Sequence, residues 1–207
     1  MDYENNCIEV CGLVVSDYEH SHQLHMENFY RFNVEVDRLS GTSDILPVTA
    51  SERVIARELM RAGIFVRISG QIRTYNNYVE EERRNKLVQT LFARDIELLD
   101  VQPDEITNEV YLTGYLCKPA VYRTTPFGRE IADLLLAVNR TYGKSDYIPC
   151  IAWGRNARFA GRLSVGDKIH IQGRMQSRIY EKKLPTEEVV EKTAYEVSIS
   201  SLALVEE

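Results

Sequence analysis

Cysteine is scarce in this 207-residue chain. The four present, Cys7, Cys11, Cys117 and Cys150, are too few for a disulfide scaffold and form no C-x-x-C pair of the kind that holds zinc. They read as reduced, small, buried residues. Long apolar runs are missing too, so no segment reads as a membrane span. The start, "MDYENNCIEV", has neither the basic nor the apolar region of a secretory signal, which makes the cytoplasm the expected compartment. The eleven glycines are scattered at turns, and no phosphate-binding loop, nucleophile elbow or H-E-x-x-H motif occurs. No catalytic constellation stands out, so the chain reads as a non-enzyme that calls for no cofactor and no metal. His20, His22 and His25 in "HSHQLH" are read as a polar loop rather than a metal site.

What is present is ordinary globular material, 44% apolar and 27% charged, enough for one large domain or two small ones. The net charge of -6 argues against a polyanionic partner until its placement is examined. Residues 1–102 hold 11 basic and 17 acidic residues, whereas residues 103–207 hold 14 of each. Within the second half, Lys118 to Lys183 carries 13 basic and 5 acidic residues. A basic segment is thus embedded in an acidic chain, and the local field governs binding more than the net charge does.

The chain repeats itself at an offset of 102 residues. Gly12 falls on Gly114, Val36 on Val138, Arg38 on Arg140, Gly41 on Gly143, and Ser43-Asp44 on Ser145-Asp146. Pro47, Ala50 and Arg53 fall on Pro149, Ala152 and Arg155; after one extra residue Gly63, Ile68 and Gly70 fall on Gly166, Ile171 and Gly173. So many turn residues at one offset indicate two copies of one fold. The polar, proline-containing stretch "DVQPDEITN" suits a linker, which divides the chain into domains 1–102 and 103–207.

Alternation and β-branched content place strands of the second copy near 109–117, 131–141, 147–153, 167–179 and 193–204. Helical spacing in "GRNARFAGRLSVGD" places a short helix between the third and fourth strands. The first copy fits the same order, with its helix in "SERVIARELMRAG". The expected fold is therefore mainly β: two tandem OB-fold five-stranded barrels, each with one short helix between strands 3 and 4.

Two stretches of the second copy point to chemistry. In "YIPCIAWGR", Tyr147, Pro149, Ile151 and Trp153 share one side of a strand, while Ile148, Cys150 and Ala152 share the other, which suits a core. In "DKIHIQGRMQSRIYEKK", Ile169, Ile171, Met175 and Ile179 have interior parity. Lys168, His170, Gln172, Arg174, Gln176, Arg178 and Tyr180 form a polar, basic outer face ending in an aromatic. Aromatics interleaved with cations suit single-stranded nucleic acid, whose bases stack on rings while phosphates meet cations. Burial against a second barrel is the competing explanation for Trp153 and Tyr147.

The run from Asn108 to about Leu204, with Gly114, Pro119, Arg123, "LAVNR", "WGRNARFA" and "GRMQSRIY", closely resembles the OB domain of bacterial single-stranded DNA-binding proteins. The resemblance implies stacking residues at Tyr142, Tyr147, Trp153 and Tyr180, and phosphate contacts at Arg140, Arg155, Arg174 and Arg178. It also implies action in replication, repair or recombination, contact with proteins of those processes, and a homodimer that assembles four OB domains. No flexible acidic tail follows "SSLALVEE", so recruitment through such a tail is not expected. The first copy has Ser40, Ile45 and Ser51 where the second has Tyr142, Tyr147 and Trp153, and Asn77 near the place of Tyr180. Arg67, Arg73, Tyr75 and Tyr78 remain, and the hairpin "NNYVEEERRNK" reads as a solvated turn. The first barrel is accordingly expected to be mainly architectural. Two alternatives stay open: an interaction or assembly module with little nucleic-acid affinity, and a single-stranded RNA binder.

Overall fold

The computed structural model describes residues 5–56, 60–79, 84–183 and 189–205, the side chains of 77–79, 84–86 and 182–183 excepted. The tip of the charged hairpin, the side chains of Asn77 and Tyr78, and residues 57–59 of the first copy's expected helix lie outside the described residues.

Six strands form the first barrel: β1 (Asn6–Val14), β2 (Glu19–Leu24), β3 (Glu27–Asp37), β4 (Ser43–Ser51), β5 (Phe65–Val79) and β6 (Arg84–Leu99). Six form the second: β7 (Asn108–Leu116), β8 (Val121–Thr124), β9 (Glu130–Asn139), β10 (Ser145–Trp153), β11 (Lys168–Lys183) and β12 (Val189–Leu204), with helix α1 (Gly154–Ala160) between β10 and β11. The hydrogen-bonded order is β2-β3-β4-β6-β5-β1-β7-β11-β12-β10-β9-β8, with β3–β1 and β7–β9 closing the two barrels. Each is a five-stranded OB-fold with one additional hairpin strand, β2 or β8, laid on its second barrel strand. The histidine stretch therefore folds as the exposed strand β2, paired to β3, rather than as a loop, and only His25 occupies the turn.

The inward parity is apolar in both copies, and equivalent positions fill both interiors. Val34, Leu46, Ile68, Ile72 and Leu91 correspond to Leu136, Ile148, Ile171, Met175 and Val197, and all ten are fully buried. Where strands cross at closest range the side chain is deleted. A Cβ on Gly70 would strike the carbonyl of Phe92, and one on Gly173 would strike that of Ser198. Each glycine adjoins a bulge that leaves one extra residue, Arg94 or Ser200, on the neighbouring strand.

The copies are joined through β1 and β7, which pair antiparallel with Ile8 opposite Val110. These two residues are themselves equivalent, so a pseudo-twofold axis passes between them and a continuous twelve-stranded sheet results. Asn6 and Asn108 repeat one device. Asn6 donates from Nδ2 to the carbonyl of Ile72 and accepts at Oδ1 from its N–H, both at 2.9 Å. Asn108 does the same with Met175 at 2.8 and 2.9 Å.

The two copies differ at the helix. In the second, Gly154 at φ +53° turns the chain into α1, and Ala157 and Ala160 are small enough to lie flat against the barrel. In the first, residues 52–55 form turns: the N–H of Val54 donates to the carbonyl of Ser51, and the N–H of Arg53 to its Oγ. Consecutive β-branched Val54 and Ile55 disfavour helix, and the Ser51 side chain offers the backbone an alternative. Among the described residues of the first barrel, no helix stands in that place. Nor is any helix of the described residues long and apolar enough to cross a membrane.

Candidate nucleic-acid interface

Across β10, β12 and β11 one outer face carries Tyr147, Ile151 and Trp153, then Ser198 and Glu196, then Arg174, Gln176, Arg178 and Tyr180. The register fixes this grouping, since Ile151 lies beside Ser198, Arg174 opposite Ser198, and Gln176 opposite Glu196. Tyr147 and Trp153 are 47% and 39% exposed, while Ile148, Cys150 and Ala152 behind them are buried. Trp153 donates from Nε1 to Ser198 Oγ at 3.2 Å, which fixes the orientation of the indole. Tyr142 sits in a 3-10 turn at φ +67° and is 97% exposed, reaching out from the connection between β9 and β10. Tyr180 is half-buried, with the Arg178 guanidinium carbon 5.7 Å from its ring centroid.

The interior parity expected along β11 holds for Ile169, Ile171 and Met175 and ends there. Gln176 is buried and donates to Glu196 at 2.8 Å, whereas Ile179 is exposed. Beyond Gln176 the β11–β12 hairpin leaves the barrel as an arm, so no interior remains for Ile179 to face.

The cations divide by environment. Arg155 is exposed on the first turn of α1 beside Trp153, and Arg178 is exposed on the arm. Lys168 begins β11, twelve residues and about 40 Å of extended strand from Tyr180, and does not join the aromatic group. Arg140 and Arg174, expected on phosphates, instead face buried carboxylates at the junction of the barrels. Arg140 grips Asp146 with two nitrogens and donates to the carbonyl of Thr74 at 3.0 Å. Asp146 also accepts from the N–H of Thr74 at 2.6 Å and from Arg73 at 2.9 Å. The equivalent set pairs Arg38 with Asp44, which accepts from the N–H of Ser177 at 2.7 Å and from Arg174 at 3.3 Å.

Each barrel's arm is thereby pinned to the other barrel, β5 onto β10 and β11 onto β4. Both aspartate side chains are wholly buried. Burial alone would raise their pKa values, but the hydrogen bonds from arginine and backbone outweigh it and hold both carboxyls below the ordinary value. Two arginines that sequence reasoning assigned to a ligand are thus engaged in architecture. The signal was in the repeat itself, because Arg38-Asp44 and Arg140-Asp146 share one spacing in both copies.

On the first barrel Ile45 and Ser51 do stand in the places of Tyr147 and Trp153, yet rings are present on other strands. Phe92 occupies the place of Ser198, and Phe29, opposite Ser51, packs on it with centroids 5.9 Å apart. His22 stacks on Phe29 at 4.8 Å and 6°, and the Arg94 guanidinium carbon lies 5.8 Å from the Phe92 centroid. Matching ring to ring in sequence misses this patch. Only the strand pairing, which sets β6 on β12 at an offset of 106 residues rather than 102, brings Phe92 to the site. Among the described residues no group of three metal-ligating side chains occurs, the histidines of β2 included.

Residues 107–205 match the single-strand binding protein family. The chain is 41% identical over 83 residues to single-stranded DNA-binding protein 1 of Staphylococcus aureus, covering 37% of this chain and 50% of that protein. To single-stranded DNA-binding protein A of Bacillus subtilis it is 39% identical over 83 residues, covering 37% and 48%. The chain thus spans about half the length of the curated relatives it matches. The fold as a whole is similar to the crystal structure of wild-type single-stranded DNA-binding protein from Thermus aquaticus, with TM-score 0.74, 17% identity, and 98% and 93% of the two chains covered. A deletion mutant of that protein gives TM-score 0.77 at 19% identity, covering 98% and 95%.

Proposed function

We propose that this chain, whose residues 107–205 match the single-strand binding protein family, binds single-stranded DNA without strict sequence preference, through the outer face of its second barrel. The observation that carries the reading is the exposure of Tyr142, Tyr147 and Trp153 around one basic barrel face, with an apolar interior behind it. Bases stack on these rings and on Tyr180, while Arg155 and Arg178 meet phosphates. Each stacked base contributes about 1–3 kcal/mol and tolerates any sequence, since every base has a π-face. The reading assigns the chain no catalysis; its work is to hold exposed strands during replication, repair or recombination, alongside proteins of those processes.

Arg174 serves this function indirectly, since its clamp on Asp44 holds the arm that carries Arg178 and Tyr180 against the neighbouring barrel, while Arg140 pins the first barrel's arm at Thr74 to the second. Self-association as a homodimer with four barrels belongs to the same reading and is tested by sedimentation. Fluorescence anisotropy with labelled oligo-dT tests the binding itself. The expected result is affinity that falls with salt, with a log-log slope of about -0.7 per neutralised phosphate, and weakens in Trp153→Ala. Equal affinity of Trp153→Ala and the parent chain would refute the stacking. Competition by matched RNA oligomers separates a DNA from an RNA preference.

A further inference from the structure

A groove of about 380 Å³ opens where the linker between the copies meets the first barrel. Leu13 and Phe65, paired across β1 and β5 and both half-buried, supply its apolar lining. Glu35 and Asp37 come from β3, and Asp104 and Glu105 from the linker. No lysine, arginine or histidine is among the described residues that line it. A second hollow, of about 700 Å³, shares Asp37, Asp104, Glu105 and Ile106 with the first and continues it to Leu39, which is 96% exposed. The two arginines there, Arg38 and Arg174, are already held by the buried Asp44.

We infer that this groove docks a partner protein through an extended segment in which lysine or arginine alternates with apolar residues. The surface is separate from the stacking face, and the inference does not depend on the binding of DNA. Three observations support it.

Charge is the first. Among the described residues no salt bridge takes up any of the four carboxylates: Glu35 accepts from Ser43 Oγ at 2.6 Å, and Asp37, Asp104 and Glu105 are exposed. Like charges around one groove repel each other and repel phosphate, and cations laid among them relieve that repulsion. A cationic segment is thereby selected and a nucleic-acid backbone disfavoured.

Uncovered apolar surface is the second. Ile106 is 46% exposed on the linker, and with Leu39, Leu13 and Phe65 it offers contact to apolar side chains set between the cations. An extended segment turns successive side chains to opposite sides, so alternation lets one set meet the apolar lining while the other meets the carboxylates. The linker is held in place for this, since the N–H of Cys11 donates to the carbonyl of Thr107 at 2.9 Å.

The third is that only one copy is built this way. Leu13 lies beside Glu35 and Phe65, whereas its equivalent Tyr115 lies beside Ala137 and Lys168. Asn139 stands in the place of Asp37. The same barrel thus forms without these carboxylates, and their presence in the first copy answers to something outside it.

The test titrates the full chain against a fluorescein-labelled peptide of alternating lysine and leucine, followed by anisotropy. The expected result is binding that weakens as salt rises and is about fivefold weaker in Asp37→Asn with Glu105→Gln. The control pair Asp17→Asn with Asp95→Asn removes two exposed carboxylates of the same barrel that do not line the groove, and is expected to bind as the parent does. Equal weakening in both pairs would assign the attraction to overall charge and overturn the inference, as would absence of binding. A peptide with serine in place of leucine should bind less tightly; equal affinity would overturn docking in the groove, because charge alone would then account for it. Sedimentation is the independent measurement. Loss of self-association in the Asp37→Asn, Glu105→Gln pair would mark the groove as a contact between copies and overturn the inference, whereas unchanged association supports it.

Discussion

Ser51 and Trp153 end equivalent strands on the two barrels, and the contrast between them runs through the whole molecule. Inside, the copies are close to interchangeable: Asn6 and Asn108 make the same pair of hydrogen bonds, and Asp44 and Asp146 anchor the same reciprocal clamps. Outside, one barrel places rings on β10 and an acid on β12, while the other places a ring and an arginine on β6 and no ring at the end of β4. Interior positions answer to packing and hydrogen-bond satisfaction, which are identical for both copies. Surface positions answer to whatever each face touches. The frame of the repeat persists while its faces diverge.

The clamps offer the strongest way to break the comparison. Asp44→Ala and Asp146→Ala each strand partly buried arginines and a backbone donor, and each is expected to destabilise the chain by about 3 kcal/mol in urea unfolding. Equal losses would uphold the pseudo-twofold frame; a loss below about 1 kcal/mol in either would show that the two clamps are not equivalent. Their dependence on pH follows from the lowered carboxyl pKa values. Stability from the clamps is complete above the ordinary value of 3.8 and is lost as pH falls through the lower value of the folded state. A thermal melt series should therefore show a decline beginning below about pH 4 that the double variant lacks.

Next in size is the contrast between faces. Tyr147→Ala is expected to weaken oligo-dT binding by about 1–3 kcal/mol, whereas Ile45→Ala, at the equivalent place on the first barrel, leaves it unchanged. Equal effects on titration would erase the distinction between the two strands. Asn6→Ala and Asn108→Ala each leave a buried backbone pair unmet and should cost about 1–3 kcal/mol of stability, again in equal measure. The smallest expected effect is electrostatic. Arg155→Ala should reduce the salt dependence of binding by one phosphate, about 0.7 in log-log slope.

Much of this was legible in the chain. The 102-residue offset, the strand order and the inward parities of β10 and β11 follow from alternation and from turn residues, because a barrel interior tolerates little else. The ring positions of the second barrel were legible for the same reason, as large aromatics on a parity the core did not need. The assignments of Arg140 and Arg174 show where such reading stops. A basic residue on an outer parity meets either solvent or a neighbouring domain, and only the docking of the two barrels places Asp146 and Asp44 within their reach. Ile179 is the corresponding case for apolar residues, since periodicity continues past the point where the barrel ends. Phe92 stayed hidden because the offset between copies grows from 103 residues on β5 and β11 to 106 on β6 and β12, across hairpins of different length.

The central claim, that the second barrel's outer face stacks bases, is tested most directly by the fluorescence of Trp153 in the unaltered chain. Oligo-dT is titrated at low and at high salt. Strong quenching at low salt that weakens as salt rises is the predicted result, and it would place bases against this ring with phosphates held by cations. Absence of quenching, together with no change in anisotropy of a labelled oligomer, would contradict the account and mark the aromatic face as a contact between proteins.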